Sequence, residues 1–148
     1  MKKLSKCILV LLAMLPFMSC ESAGNKVVEF SNLPSKAQTF LKTYFADKAI
    51  AVILCDEGLF DKDYEVRFED SSEVEFDENG EWKSVEMKNR QAVPDGIIPA
   101  GIKTFVKAKH PAAFVIEIKK ERKEYDVELS NGVDIVFDKK GNFKRYDD

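Results

Sequence analysis

Few side chains in this 148-residue sequence could do covalent or metal chemistry, and their neighbours argue against it. His110 is the single histidine, set between Lys109 and Pro111. A general base or a metal ligand would need a carboxylate or a second ligand at a fixed spacing, and none is present there. The position suits a polar residue at a helix C-terminus, where positive charge is favoured. Cys55 closes the apolar run Ile50 to Leu54, so a buried thiol is expected rather than a nucleophile. Cys7 and Cys20 lie near the N-terminus, which excludes a disulfide framework unless Cys20 pairs with Cys55. The serines occupy caps, strands or turns, and none stands in a nucleophile elbow. No glycine-rich phosphate loop and no zinc-type Cys/His spacing occurs. Asp56, Glu57, Asp61 and Asp63 could surround a calcium ion, but their spacing is not that of a calcium loop. The expectation is a protein that is not an enzyme, with no catalytic residue, no metal site and no cofactor.

Binding chemistry is better served. Glu65, Arg67, Glu69, Glu73, Glu75, Asp126, Glu128 and Asp134 alternate with apolar residues, and should share one side of a sheet. Seven acids against one arginine would make a platform for a basic envelope protein or peptide. Solvated charges that merely keep a half-exposed sheet soluble are the competing reading. The net charge is −3, and removal of residues 1–19 takes out Lys2, Lys3 and Lys6 but no acid, leaving 20 bases against 26 acids, or −6. An acidic chain of this size has no electrostatic basis for binding nucleic acid.

Several elements must position these residues. Residues 1–19 read as a signal peptide: Lys2, Lys3 and Lys6 precede the apolar run Ile8 to Leu15, which is too short to remain as a membrane span. Ser19-Cys20 resembles a lipobox, so Cys20 is the expected lipidation site, and an N-terminal lipid anchor the only membrane contact. The protein is then exported, either to the periplasm or as an anchored lipoprotein facing the periplasm or the cell surface. Residues 20–31 read as a tether, and 88–97, with Pro94 and Gly96, as a linker.

Between and beyond these segments the chain repeats itself. Leu33-Pro34 matches Ile98-Pro99, and Thr39-Phe40-Leu41-Lys42 matches Thr104-Phe105-Val106-Lys107; Tyr64-Glu65-Val66 matches Tyr125-Asp126-Val127, and Phe76-Asp77 matches Phe137-Asp138. Each copy, 32–87 and 98–148, should open with a helix whose apolar stripe includes Ala37, Phe40 and Leu41, or Ile102, Phe105 and Val106. Gly101 weakens the second helix. Four strands follow in each copy: 50–55, 63–69, 72–77 and 81–87, then 113–119, 123–129, 133–138 and 142–147. Asn131-Gly132 suits a two-residue hairpin, and Gly80 and Gly141 suit left-handed positions in longer loops. The expected fold class is α+β. It consists of two tandem helix-plus-four-antiparallel-strand repeats, with helices packed on one face of the sheet and the other face open.

Leu33-Pro34, Tyr44-Phe45, Tyr64-Glu65-Val66 and Phe76-Asp77-Glu78-Asn79-Gly80-Glu81-Trp82 resemble the PepSY-like family of exported bacterial proteins. That family is similar in fold to the β-lactamase inhibitor proteins. Lys109-His110 replaces the aromatic pair in the second copy, and the disulfides of the inhibitor proteins are absent. The resemblance implies tandem helix-plus-four-strand units forming one continuous curved sheet with helices on its convex side, and inhibitor-like proteins of this fold use the open sheet face to hold a partner protein. It implies no enzymatic activity. The expected function is a non-enzymatic, inhibitor-like interaction module of the cell envelope, and the alternative is a periplasmic small-ligand binder with an apolar cleft between helices and linker.

Overall fold

The computed structural model describes residues 25–58 and 61–147. The signal peptide and Cys20 lie outside the described residues. The elements run β1 (Lys26–Val27), a single 3-10 turn (Phe30–Asn32), α1 (Ser35–Tyr44), β2 (Ile50–Glu57), β3 (Lys62–Phe68), β4 (Glu73–Phe76) and β5 (Trp82–Glu86). They continue with α2 (Ala100–Lys109), β6 (Val115–Lys120), β7 (Glu124–Leu129), β8 (Asp134–Asp138) and β9 (Phe143–Asp147).

This architecture corrects the expected pair of tandem helix-plus-four-strand repeats. All nine strands form one antiparallel sheet in sequence order, and two short helices are the only α-helices among the described residues. The physical reason is strand pairing across the supposed boundary. β5 and β6 join through Ser84↔Lys119, Val85↔Ile118 and Glu86↔Glu117. Val93 N–H also donates to Val115 C=O at 2.8 Å, stitching residues 88–97 along the same seam. Within the stretch read as a tether, Lys26 and Val27 pair with Cys55 and Leu54 as a ninth strand. One hydrophobic cluster runs from Leu33 to Phe137, so neither half has a core of its own.

Period-two alternation explains the strands. Tyr64, Val66, Phe68, Val74 and Phe76 are buried, as are Ile118, Val127, Leu129, Ile135 and Phe137. The helices cover this side. Ala37 and Leu41 of α1 and Ile102 and Val106 of α2 are buried. Phe40 meets Phe76 edge-on at 5.5 Å, and Phe105 meets Phe137 likewise at 5.4 Å. Pro34 and Pro99 sit at the N-caps, where φ near −54° starts a helix at no cost in lost N–H bonds. α2 stops at His110, ahead of Pro111.

The turns are fixed by side-chain caps. Asp77 accepts from the N–H groups of Asn79 and Glu81, and Asp138 from those of Lys140 and Asn142, all within 2.9 Å. The Asn131-Gly132 turn differs from the expected two-residue form: only Gly132 has positive φ, and Leu129 N–H reaches Val133 C=O across a longer loop. That is a type I turn closed by a glycine bulge.

Gly101 has a packing reason to be there. A Cβ at this position would lie 2.6 Å from the Gly141 carbonyl oxygen, which is backbone and cannot step aside. The first turn of α2 therefore rests directly on the β8–β9 turn. Gly101→Ala should destabilise the protein by about 1–3 kcal/mol in urea unfolding, although helix propensity alone favours alanine by about 1 kcal/mol.

Candidate binding face

The side of the sheet away from the helices carries two rows of side chains, set by register. The first runs Leu54, Glu65, Glu75, Ser84, Lys119, Asp126, Val136 and Arg145, each directly opposite the next on the neighbouring strand. The second runs Val52, Arg67, Glu73, Glu86, Glu117, Glu128, Asp134 and Asp147. Glu73, Glu86, Glu117, Glu128, Asp134 and Asp147 are thus an unbroken line of acids across six adjacent strands. Neighbouring strands lie about 4.8 Å apart, and like charges placed directly opposite one another oppose pairing.

The electrostatics follow from this row. Burial, reinforced by Glu86 and Glu128, pushes the Glu117 carboxyl above the usual carboxylate range. Burial and then Glu65 do the same to Glu73, with Arg67 opposing. Asp126, in the other row, is raised by burial and by Glu121 and Glu124. Cations relieve the line unevenly. Arg67 sits between Glu65 and Glu73, its Nε 3.4 Å from Glu73, and Lys88 pairs with Glu86. Among the described residues, Glu117, Glu128 and Asp134 have no ion pair within 4 Å.

Val136 lies on this face as well, yet it is only 1% exposed. It floors a hollow of about 190 Å³ walled by Glu117, Lys119, Asp126, Glu128, Asp134 and Asp147. Of the residues expected here, Glu65, Arg67, Glu73, Glu75, Asp126, Glu128 and Asp134 all reach the face. Glu69 does not belong to a strand: β3 ends at Phe68, and Glu69 falls in the turn that Asp70 caps through the Ser72 N–H. Glu86, Glu117 and Asp147 went unnoticed in the sequence. Their alternation was visible, but their membership of one row depends on the β5–β6 register, which no local pattern encodes.

Several of the other candidate side chains have partners within the fold. Cys55 is a buried free thiol, and burial raises its pKa. His110 hydrogen-bonds through Nε2 to the Tyr146 hydroxyl at 3.1 Å. In the 56–63 loop, Glu57 is held near pKa 2 by hydrogen bonds from Lys62 and Lys26, and Asp63 pairs with Lys83 at 2.5 Å. Lys26, Lys62 and Lys83 thus pair with two of the four acids of this loop, and no group of three metal-binding side chains occurs among the described residues. On the helix side, a groove of about 500 Å³ runs beside α1 past Phe40, Tyr44 and Trp82. A smaller hollow of about 260 Å³ lies between α2 and residues 92–98.

The sequence profile of the beta-lactamase-inhibitor-like, PepSY-like family matches residues 62–145, more than half of the chain. The chain belongs to this PepSY-like family. Solved structures that share the fold of this PepSY-like protein include the following three. A periplasmic protein of the DUF2874 family from Bacteroides vulgatus is 37% identical, with a TM-score of 0.79 over 84% of this chain and 97% of its own. One from Bacteroides thetaiotaomicron, described as calcium-regulated and periplasmic, is 36% identical with a TM-score of 0.80 over the same shares. Another periplasmic protein from Bacteroides vulgatus, of unknown function, is 31% identical with a TM-score of 0.79, over 84% of this chain and all of its own. No curated protein matches significantly.

The raised carboxyls of the open face set a pH dependence with a definite sign. Glu73, Glu117 and Asp126 have raised pKa values, so the folded state holds their protons more tightly than the unfolded chain does. Stability should therefore rise as pH falls from neutrality towards the ordinary carboxylate range. Below the ordinary carboxylate range the sign reverses, because the stabilisation from Glu57, held near 2 in the folded state, is lost as pH falls from there towards 2. Glu117→Gln should raise the melting temperature at pH 7 by about 2–4 °C and flatten that rise, as read by thermal melts across pH.

Proposed function

We propose that this PepSY-like protein is a non-enzymatic interaction module of the periplasm. Its open sheet face takes a basic segment of an envelope protein or peptide. The observation that carries this reading is the row from Glu73 to Asp147. Six acids in register repel one another across the sheet and cost stability that Gln, Ser or Thr at the same positions would not. Such a cost is characteristic of surfaces kept for a ligand. A lysine- or arginine-rich segment lying across the strands would relieve the repulsion, and Val136 offers an apolar spot beneath it. The negative field would also steer a basic partner into place.

The family supports the reading as far as a periplasmic setting and an inhibitor-like fold, since fold alone does not name a partner. Lipidation at Cys20 would hold the face at the membrane surface, where a tethered module meets other envelope proteins at high local concentration. The groove beside α1 favours a second reading, a small apolar ligand held against Phe40 and Tyr44. A rise in melting temperature with a small apolar metabolite would favour that reading.

Reversal of Glu65, Glu73 and Glu128 to lysine tests the first reading. Capture of a basic envelope partner, followed by cross-linking and mass spectrometry, should fall by roughly tenfold or more while the melting temperature is kept. Unchanged capture by the triple variant would rule the face out.

A further inference from the structure

The two edges of the sheet differ. β1 is two residues long, and Lys26 is tied back to Glu57 at 3.1 Å, so it offers little to another strand. β9 is five residues long, and every one of them is exposed. Among the described residues no strand or helix covers its outer edge, as it ends the strand order. An uncovered edge of this length presents a line of backbone donors and acceptors ready for another strand.

The chain itself shows what covering such an edge does. β5 bears the same relation to β4 as β9 does to β8: each has a bulge, beyond which Phe76↔Trp82 or Phe137↔Phe143 pair. β6 lies against β5, and there Lys120 sits 4.0 Å over the Trp82 ring while Tyr125 of β7 stacks on it. Among the described residues nothing equivalent covers β9. Phe143 is 41% and Tyr146 46% exposed, although both are already ordered. Phe143 stacks on Phe105 at 4.8 Å, and Tyr146 packs on Phe143 at 5.1 Å and bonds to His110.

The order of residues in β9 selects the occupant. Arg145 and Asp147 point to the open face, and Tyr146 between them points to the helix side. Arg145 already lies 3.4 Å from Glu124 and 3.8 Å from Asp147 of its own chain, and an antiparallel strand centred on Tyr146 fits best with a base opposite Asp147, an apolar residue opposite Tyr146 and an acid opposite Arg145. Read from its N-terminus, that is base, apolar, acid, and Arg145-Tyr146-Asp147 is itself such a sequence. We infer that β9 pairs with β9 of a second copy of this chain about a two-fold axis through Tyr146, giving one continuous sheet of two subunits. Asp147, the last acid of the row and opposed within the chain by Asp134, then meets the partner's Arg145. The contact is isologous and closes on itself, whereas β9 against β1 would propagate into filaments.

This inference goes beyond the basic-partner reading and does not depend on it, since its test contains no partner. Sedimentation equilibrium of the purified protein over a range of concentrations should show a monomer–dimer equilibrium. Arg145→Asp sets acid against acid across the axis, and Asp147→Arg sets base against base; each should weaken dimerisation by roughly tenfold or more. The double variant Arg145→Asp/Asp147→Arg keeps the self-complementary order and should restore it to near the wild-type value. Thermal melts of all four proteins separate lost pairing from lost folding, and the double variant answers even if one single variant folds poorly. A monomer at every concentration, a dimer indifferent to the single reversals, or a double variant no better than the singles would overturn the inference.

Discussion

Val85 opposite Ile118, flanked by Ser84 opposite Lys119 and Glu86 opposite Glu117, holds the two halves of the sheet in a single surface. Everything else about the molecule depends on that seam. Side chains alternate with a period of two, so a slip of one residue at the seam would turn β6 to β9 inside out relative to β2 to β5. Ile118, Val127 and Ile135 would then lie in water and Glu117, Glu128 and Asp134 beneath the helices. The apolar cost of that error is large and fixes the register. The acidic row is the other side of the same constraint: once the branched residues are buried in line, their polar neighbours are forced into line as well.

The seam is reinforced away from the strands. Lys48, Asp70 and Gln91 form a cluster linking the end of α1, the β3–β4 turn and the segment that leads to α2. Lys48 Nζ donates to Gln91 Oε1 at 2.6 Å, and Gln91 Nε2 donates to Asp70 Oδ2 at 3.0 Å. Burial acts to raise the Asp70 pKa, but the Lys48 ammonium and the Ser72 N–H outweigh it and hold the carboxyl well below the usual range. Asn89 and Arg90 complete this segment with positive φ values of 56° and 58°. The connection read from the sequence as a linker is a shaped part of the fold. Its backbone conformation lets Val93 run back along β6.

What could be read beforehand was local. Tyr64, Val66 and Phe68 alternate with charged residues, and that alone assigns a strand and its buried side. Asp77 and Gly80, or Asp138 and Gly141, mark turns because a carboxylate cap and a left-handed glycine are needed within four residues. The cross-strand arrangement was not readable, because β5 and β6 are separated by α2 and its approach, and pairing over that distance leaves no periodic trace. Hence the single sheet in place of two repeats, and hence the missed Glu86, Glu117 and Asp147. Glu69 failed for a different reason. The alternation runs one residue past the strand, but Phe68 N–H turns to Ser72 C=O and ends the ladder. Gly101 looked like a weakness by propensity and proved to be a contact point, a distinction that only the neighbouring Gly141 backbone reveals.

Trp82 is the single tryptophan of the chain, and it sits where the seam, α1 and β7 converge. Its indole lies between Phe40 and Tyr125, with the Lys120 ammonium over its face. The molecule therefore carries its own optical reporter at the joint that matters most. Separation of β5 from β6 would strip the ammonium and the tyrosine from the ring and wet it. The emission colour and intensity would then follow the integrity of the sheet without any label, and would distinguish opening at the centre from fraying at either rim.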